Sequence, residues 1–278
     1  LVGGRIRVFN HAWREAENLV ELGTSSAGTP LQVNRAVVEA DVVIGLGAIV
    51  PHHIPGYSGS SKIIQPGVCG PKTTAETHML SCEGGGDSLL GIEDNPVRRD
   101  MDDMADRVGM KTIFNVVMDS DGRVTDIFFG EMRAAFRKGV GAARKIYGVE
   151  YREAPDIVVA NSYPCDLDFW QSHKSQYPAQ RMVKPGGTIV VCTPAPEGVS
   201  PVHTDLLSYT AWPSAGIRSS SSKTIWVHRT PSADPRTWTF SSRIATPSIP
   251  ARRAMWSPTI SMPKSRSRAI ARITASCW

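Results

Sequence analysis

The stretch from Pro51 to His78, PHHIPGYSGSSKIIQPGVCGPKTTAETH, holds the residues most able to do chemistry. Two histidines at its start, a Gly/Ser-rich loop, Lys62, a Pro-Gly turn and His78 follow one another at set intervals. Imidazole nitrogens can move protons near neutral pH or bind a metal. A loop of small residues can offer backbone and hydroxyl donors to an anion. The loop is not a nucleoside-triphosphate P-loop, because Ser61 precedes Lys62 and Ile63 follows it, which removes the magnesium-binding hydroxyl. Gly56, Ser58 and Gly59 remain candidates for contacts to a phosphate or ring substituent. No CxxC or HExxH pattern accompanies the histidines, which argues against a zinc site.

Singly, each of these residues has a plainer reading. A lone loop histidine is more often structural than a ligand, and a lone lysine is usually solvated. Their joint spacing changes that reading: Lys62 lies ten positions after His52, and His78 sixteen after Lys62. The segment thereby resembles the nickel-dependent lactate racemase family, whose pattern runs P-H, G-[YF]-S-G-G-[RK]-K, P-G and N-H. Here Ser60-Ser61 replaces Gly-Arg, and Thr77 replaces Asn. The blocks SYPCDLDFWQSHK (162–174) and VKPGGTIVVCTPAPEGVS (183–200) resemble later parts of that family, and the resemblance extends from about residue 5 to about residue 212.

The resemblance implies a racemase or epimerase that inverts C2 of a lactate-like 2-hydroxy acid by transient hydride transfer. It implies nickel, held by a pyridinium-type pincer mononucleotide attached covalently to Lys62, with His78 as a metal ligand. His52 would be the general base, while Gln171 and Lys174 would hold the substrate carboxylate. Cofactor-biosynthesis enzymes would be partners. The family's second catalytic histidine and an Asp-x-Thr-Arg-x-x-Pro segment would lie upstream of Leu1, so the sequence reads as an N-terminally truncated fragment. Two alternatives stay open: an inactive fragment that keeps cofactor or metal binding, and a nucleotide-dependent oxidoreductase.

The elements that must position these residues read as α/β. Ala40 to Val50 predicts a buried strand leading to His52. Before it, strand is expected over 5–10 and helices over 13–22 and 31–39. After it come a helix over 95–108, a hairpin over 111–130 turning at DSDG, and a helix over 131–147 with Met132, Phe136, Val140 and Ala143 on one stripe. A strand at 156–160, a helix around Gln171 and a strand at 188–192 predict a parallel βαβ unit. The expected architecture is two lobes with Rossmann-like parallel or mixed sheets and an active site in the cleft between them. Residues 1–147 would belong to the N-terminal catalytic lobe, 148–212 to a C-terminal α/β lobe, and 213–278 to a basic tail, either without order or read out of frame.

The chain carries 31 Lys and Arg against 26 Asp and Glu. From Ser214 onward Asp234 is the sole acid beside eleven basic residues, so the body, with 20 basic and 25 acidic residues, is acidic. That distribution argues against nucleic acid as a partner of the body. No apolar run is long enough to span a bilayer. Five irregularly spaced cysteines predict no disulfide framework and a reduced, cytoplasmic setting. Cys69, between Lys62 and His78, reads as a small buried apolar residue rather than a metal ligand.

Overall fold

The computed structural model describes residues 7–82 and 88–197, together with the backbone of three strands further on. Contacts divide the chain into two compact units, Leu1–Glu83 with Leu89–Gly148, and Gly84–Ser88 with Val149–Trp278. Both are of mixed α/β type.

In the first unit β1 (Leu19–Thr24) and β2 (Pro30–Asn34) form an antiparallel hairpin, followed by the single-turn helix α1 (Arg35–Val38). Helices were expected over 13–22 and 31–39. The stretch LVEL satisfies a helical period and a strand alternation equally, and pairing of Leu19 with Asn34 and Val20 with Val33 decides for strand. Before β1 a 3-10 turn at Ala16–Asn18 is the helical part of 13–22, and α-helix begins where Asn34 caps Ala36 N. Residues 7–10, expected as strand, are irregular, with Val8 and Phe9 exposed.

Strand β3 (Val43–Ala48) leads to β4 (Pro51–His52), β5 (Gly56–Tyr57) and a 3-10 turn at Ser60–Ile63. Helices α2 (Pro71–Leu80) and α3 (Pro96–Arg107) follow, then the hairpin β6 (Met110–Met118) and β7 (Val124–Glu131), and α4 (Met132–Tyr147). The sheet order is β3-β6-β7, with β3 parallel to β6 and β6 antiparallel to β7. Asp119 Oδ1 accepts from Asp121 N and Arg123 N, making DSDG a hairpin turn as predicted. Glu131 caps α4, whose stripe Met132, Phe136, Val140 and Ala143 is buried with Ile49, Met110 and Ile113.

Strand β3 departs from the expectation of full burial. Ile44 and Leu46 are exposed, and Leu46 lies in register with Phe114, itself opposite Phe129 on β7. On the inner face of β3, after Val43 has packed against the core, come Gly45 and Gly47. A Cβ on either would lie 3.1 Å from Ile63 Cδ1, so the missing side chains let the Lys62 turn settle onto the strand.

In the second unit β8 (Ile157–Asn161), α5 (Phe169–Ser172), a 3-10 turn at His173–Ser175, α6 (Gln176–Met182) and β9 (Thr188–Thr193) form the predicted βαβ unit, with β8 and β9 parallel. Val158, Ala160, Ala179, Ile189 and Val191 make its core. Within 213–278, β10 (Lys223–His228), β11 (Thr239–Arg243) and β12 (Ile270–Thr274) are strands. They give the sheet order β11-β10-β9-β8-β12, with β10 parallel to β9 and β12 parallel to β8. KTIWVH and IARIT are short β-branched runs that neighbouring strands can pair with, even where the segment as a whole has no periodicity. Among the described residues no helix is long and apolar enough to cross a membrane. Cys69, Cys82 and Cys192 are free thiols, whereas Cys165 is disulfide-bonded, which the cysteine spacing does not foretell.

Candidate active site

The residues from His52 to His78 are carried by four pieces of the first unit that hydrogen bonds tie together. Where β3 ends, Ser58 N donates to Val50 O (2.8 Å), Ser58 Oγ donates to Ala48 O (2.7 Å) and accepts from Val50 N (2.9 Å). These bonds fold the Gly/Ser loop back on the C-terminal end of β3, the end at which parallel strands present functional groups. They also engage Ser58's own donors within the protein. Gly56, at φ +79°, has Ile92 O so close that a Cβ would lie 1.8 Å from it. A Cβ on Gly59, at φ +76°, would lie 2.9 Å from Asn115 Oδ1. For all three residues the structure supplies a packing role.

His52 pairs with Gly56 across β4 and β5 and stacks on His53, with ring centroids 4.6 Å apart. Ile54 N donates to His52 Nδ1 at 3.1 Å. A backbone N–H can only donate, so Nδ1 holds a lone pair and the neutral ring carries its proton on Nε2. His78, in the last turn of α2, has Nδ1 2.6 Å from Thr74 O. A carbonyl can only accept, so Nδ1 carries the proton and the lone pair of His78 lies on Nε2. The two histidines are therefore held in opposite tautomers.

Lys62 is half-buried on the 3-10 turn, with Lys62 N donating to Gly59 O at 3.2 Å. Just before it Ser60 sits at φ +52°, a left-handed conformation that costs energy in a non-glycine residue. Asn115 Oδ1 on β6 holds it there by accepting from Ser60 N at 2.8 Å. Just after the turn, the buried Gln65 side chain donates to Thr77 Oγ1 and to Asp100 Oδ2 (3.2 Å). Thr77 precedes His78, so the lysine turn and the histidine helix are joined through Gln65. Burial pushes the Cys69 thiol up to about 12, and its Sγ donates to Ile64 O. It stays protonated and is no thiolate ligand. His11 is structural, with Nε2 donating to Cys69 O (2.9 Å) and Nδ1 accepting from Asn34 Nδ2 (2.8 Å).

In the second unit Asp168 caps α5 by accepting from Gln171 N at 2.5 Å. Lys174 falls in the 3-10 turn beyond it rather than on one continuous helix. Gln171 belongs to α5 and Lys174 to the turn, so the pair spans the junction between the two. Ser172 Oγ, 2.5 Å from Thr193 Oγ1, pins this segment to the end of β9. Gln171 and Lys174 are half-buried. Burial lowers the Lys174 pKa, and the nearby Asp168 charge partly offsets that.

No group of three or more His, Cys, Asp or Glu side chains is placed to hold a metal among the described residues. His78 nonetheless fits a metal whose other donors come from a cofactor, because its outer hydrogen bond to Thr74 O fixes ring and tautomer as metal-bound imidazoles require. The 610 Å³ cavity between β7 and α4 is lined by Thr125, Phe128, Lys138 and Lys145 among others, and by none of these residues.

Sequence patterns alone did not single out Arg98, Asn115 or Gln65. One signal was present: Arg98 falls on a helical stripe with Met101 and Ala105, both of which are buried. A charge on a buried stripe calls for partners.

Residues 1–87 match the model of the lactate racemase N-terminal domain. The chain is 31% identical over 190 residues to the lactate racemase of Thermoanaerobacterium thermosaccharolyticum, covering 68% of this chain and 45% of that protein. It is 28% identical over 193 residues to the lactate racemase of Lactiplantibacillus plantarum, covering 69% and 46%. The chain thus spans about half the length of the curated relatives it matches. The structure of the lactate racemase apoprotein from T. thermosaccharolyticum superposes with a TM-score of 0.69 at 27% identity, over 79% of this chain and 59% of that one. A Thermotoga maritima protein, at 24% identity and a TM-score of 0.55, shares the fold. The N-terminal domain match, the identity to two lactate racemases and the like fold make the chain similar to the lactate racemase family.

Proposed function

We propose that this chain carries cofactor-holding and acid–base residues of a racemase or epimerase acting at C2 of a lactate-like 2-hydroxy acid. The observation that carries this reading is the coupling of the Lys62 turn to the His78 helix through Gln65 and Thr77, with the His78 lone pair set on Nε2. Lys62 would be the attachment point of a nickel-pincer nucleotide supplied by cofactor-building enzymes, and His78 Nε2 would be a nickel ligand. Imidazole with soft sulfur donors suits nickel(II). When bound, that cofactor would supply a reversible acceptor for the hydrogen on C2.

The remaining work falls to side chains of this chain. His52, with its proton on Nε2, meets a substrate hydroxyl as a donor. Taking up the hydroxyl proton requires the ring to release Ile54 N–H and turn, so that the Nδ1 lone pair becomes available. Lys174 offers a positive charge to the carboxylate, and Gln171 offers amide hydrogen bonds. The half-burial of Lys174 weakens competition from water and strengthens that attraction.

The test is intact-mass analysis of protein made with the cofactor, together with chiral assay of L-lactate. Lys62→Ala should abolish the covalent adduct, whereas His52→Ala should keep the adduct and lose isomerisation. Normal loading of Lys62→Ala would overturn the tether. An adduct without any isomerisation would identify a cofactor holder instead, and net keto-acid formation with nicotinamide would identify an oxidoreductase.

A further inference from the structure

We infer that Arg98 is the positioning residue of the Lys62 loop, holding residues 55–61 in the one shape that presents the lysine. Its side chain is 3% exposed and lies beneath the loop, on α3. Nη2 donates to Tyr57 O and to Pro55 O (3.5 Å), and Nη1 donates to Gly59 O (3.3 Å) and Ser61 Oγ (2.9 Å). The carbonyls of positions 55, 57 and 59, in a loop that turns at the positive-φ residues Gly56 and Gly59, converge on a single guanidinium. The planar fork can serve several acceptors at fixed angles, which an ammonium on a flexible stem cannot.

The support behind Arg98 is built as closely as the contacts in front of it. Asn95 caps α3 by accepting from Arg98 N at 2.9 Å, and the guanidinium lies over the Phe136 ring at 4.3 Å. Asp102, one helical turn on, lies close enough to Arg98 and Ser61 for its charge to act on both. Burial lowers the Arg98 pKa to about 10, which leaves it charged at neutral pH. A buried cation spent on backbone carbonyls and one hydroxyl is costly unless the shape it enforces is needed. That shape includes the left-handed Ser60 two residues before Lys62. Arg98 therefore works through the loop, without touching substrate or cofactor itself.

The functional weight of this inference rests on Lys62 as the attachment point, but its test reads geometry alone. The apoprotein would be acetylated with N-hydroxysuccinimidyl acetate, and the rate at Lys62 taken relative to the exposed Lys72 and Lys111 by peptide mass spectrometry. In Arg98→Ala the ratio should change at least about fivefold, because the charge-assisted hydrogen bonds that hold the loop are lost. Millimolar methylguanidine should restore the ratio and methylammonium should not, since a general loss of stability would answer to neither. An unchanged ratio in folded Arg98→Ala, or rescue by both cations alike, would overturn the inference. If Arg98→Ala does not fold by circular dichroism, Ser61→Ala removes one of the four acceptors, and an unchanged ratio there would overturn it equally. A protein that passes this test yet never takes an adduct on Lys62 would sink the tether and leave the Arg98 role standing.

Discussion

Replacing Gly56 by alanine separates a packing role from a cofactor contact. Gly56 sits at φ +79°, where a side chain costs about 1 kcal/mol. A Cβ there would lie 1.8 Å from Ile92 O and 2.8 Å from Ile92 C, both backbone atoms that cannot swing aside. The β4–β5 turn and the 89–92 segment would have to separate. That weakens Gly91 N to Gly56 O (3.0 Å) and Leu89 N to His53 O (3.2 Å), at about 1 kcal/mol each. Together the loss should be roughly 3 to 5 kcal/mol, a large share of a typical domain's stability. Gly23→Ala is the control, with φ +81° but open space around it, and should cost only the backbone strain of about 1 kcal/mol. Urea titration of the apoprotein, at constant slope, measures both. Equal losses in the two variants would refute the steric argument. No loss in either would leave Gly56 with a ligand role alone.

Long-range ¹⁵N–¹H spectra at neutral pH should show His52 as the Nε2–H tautomer and His78 as the Nδ1–H tautomer, and matching patterns would contradict the hydrogen bonds read here. Asn115→Ala should cost about 1–3 kcal/mol in urea titration, because it strips the acceptor from a buried N–H that holds Ser60 left-handed, and a loss within experimental error would speak against that restraint. Lys174 has its pKa lowered by burial, so between the folded and unfolded values the unfolded chain binds the extra proton. Stability relative to Lys174→Met should therefore be lowest and constant near neutral pH, and should rise as pH climbs toward 10.5. A pH-independent difference would rule out that desolvation.

Local chemistry made much of this chain legible. Asn95-Pro96 starts a helix because a side-chain cap and a pre-set φ favour it whatever lies nearby. The stripe on α4 and the DSDG turn declare themselves for the same reason, and so does the strand–helix–strand order of 156–192. The segments 13–22 and 31–34 were misread because their apolar spacing satisfies two periods, and only partner strands discriminate between them. β3 reads as a buried strand from its composition, yet Ile44 and Leu46 face outward and its glycines face the Lys62 turn.

The candidate site divides along the same line. Residue types made His52, Lys62 and His78 candidates, and their intervals single them out through the resemblance to the lactate racemases. Their protonation patterns were not legible, since a tautomer follows from whichever backbone group faces the ring, Ile54 N for one and Thr74 O for the other. Nor were Arg98 and Asn115, whose partners lie 37 to 43 and 55 positions away in sequence, or Gln65, whose partners lie 12 and 35 away. The sequence by itself determined which chemistry this protein could attempt. Tertiary structure decided how the loop that presents it is held, because buried donors and acceptors must find one another across the fold wherever the chain brings them.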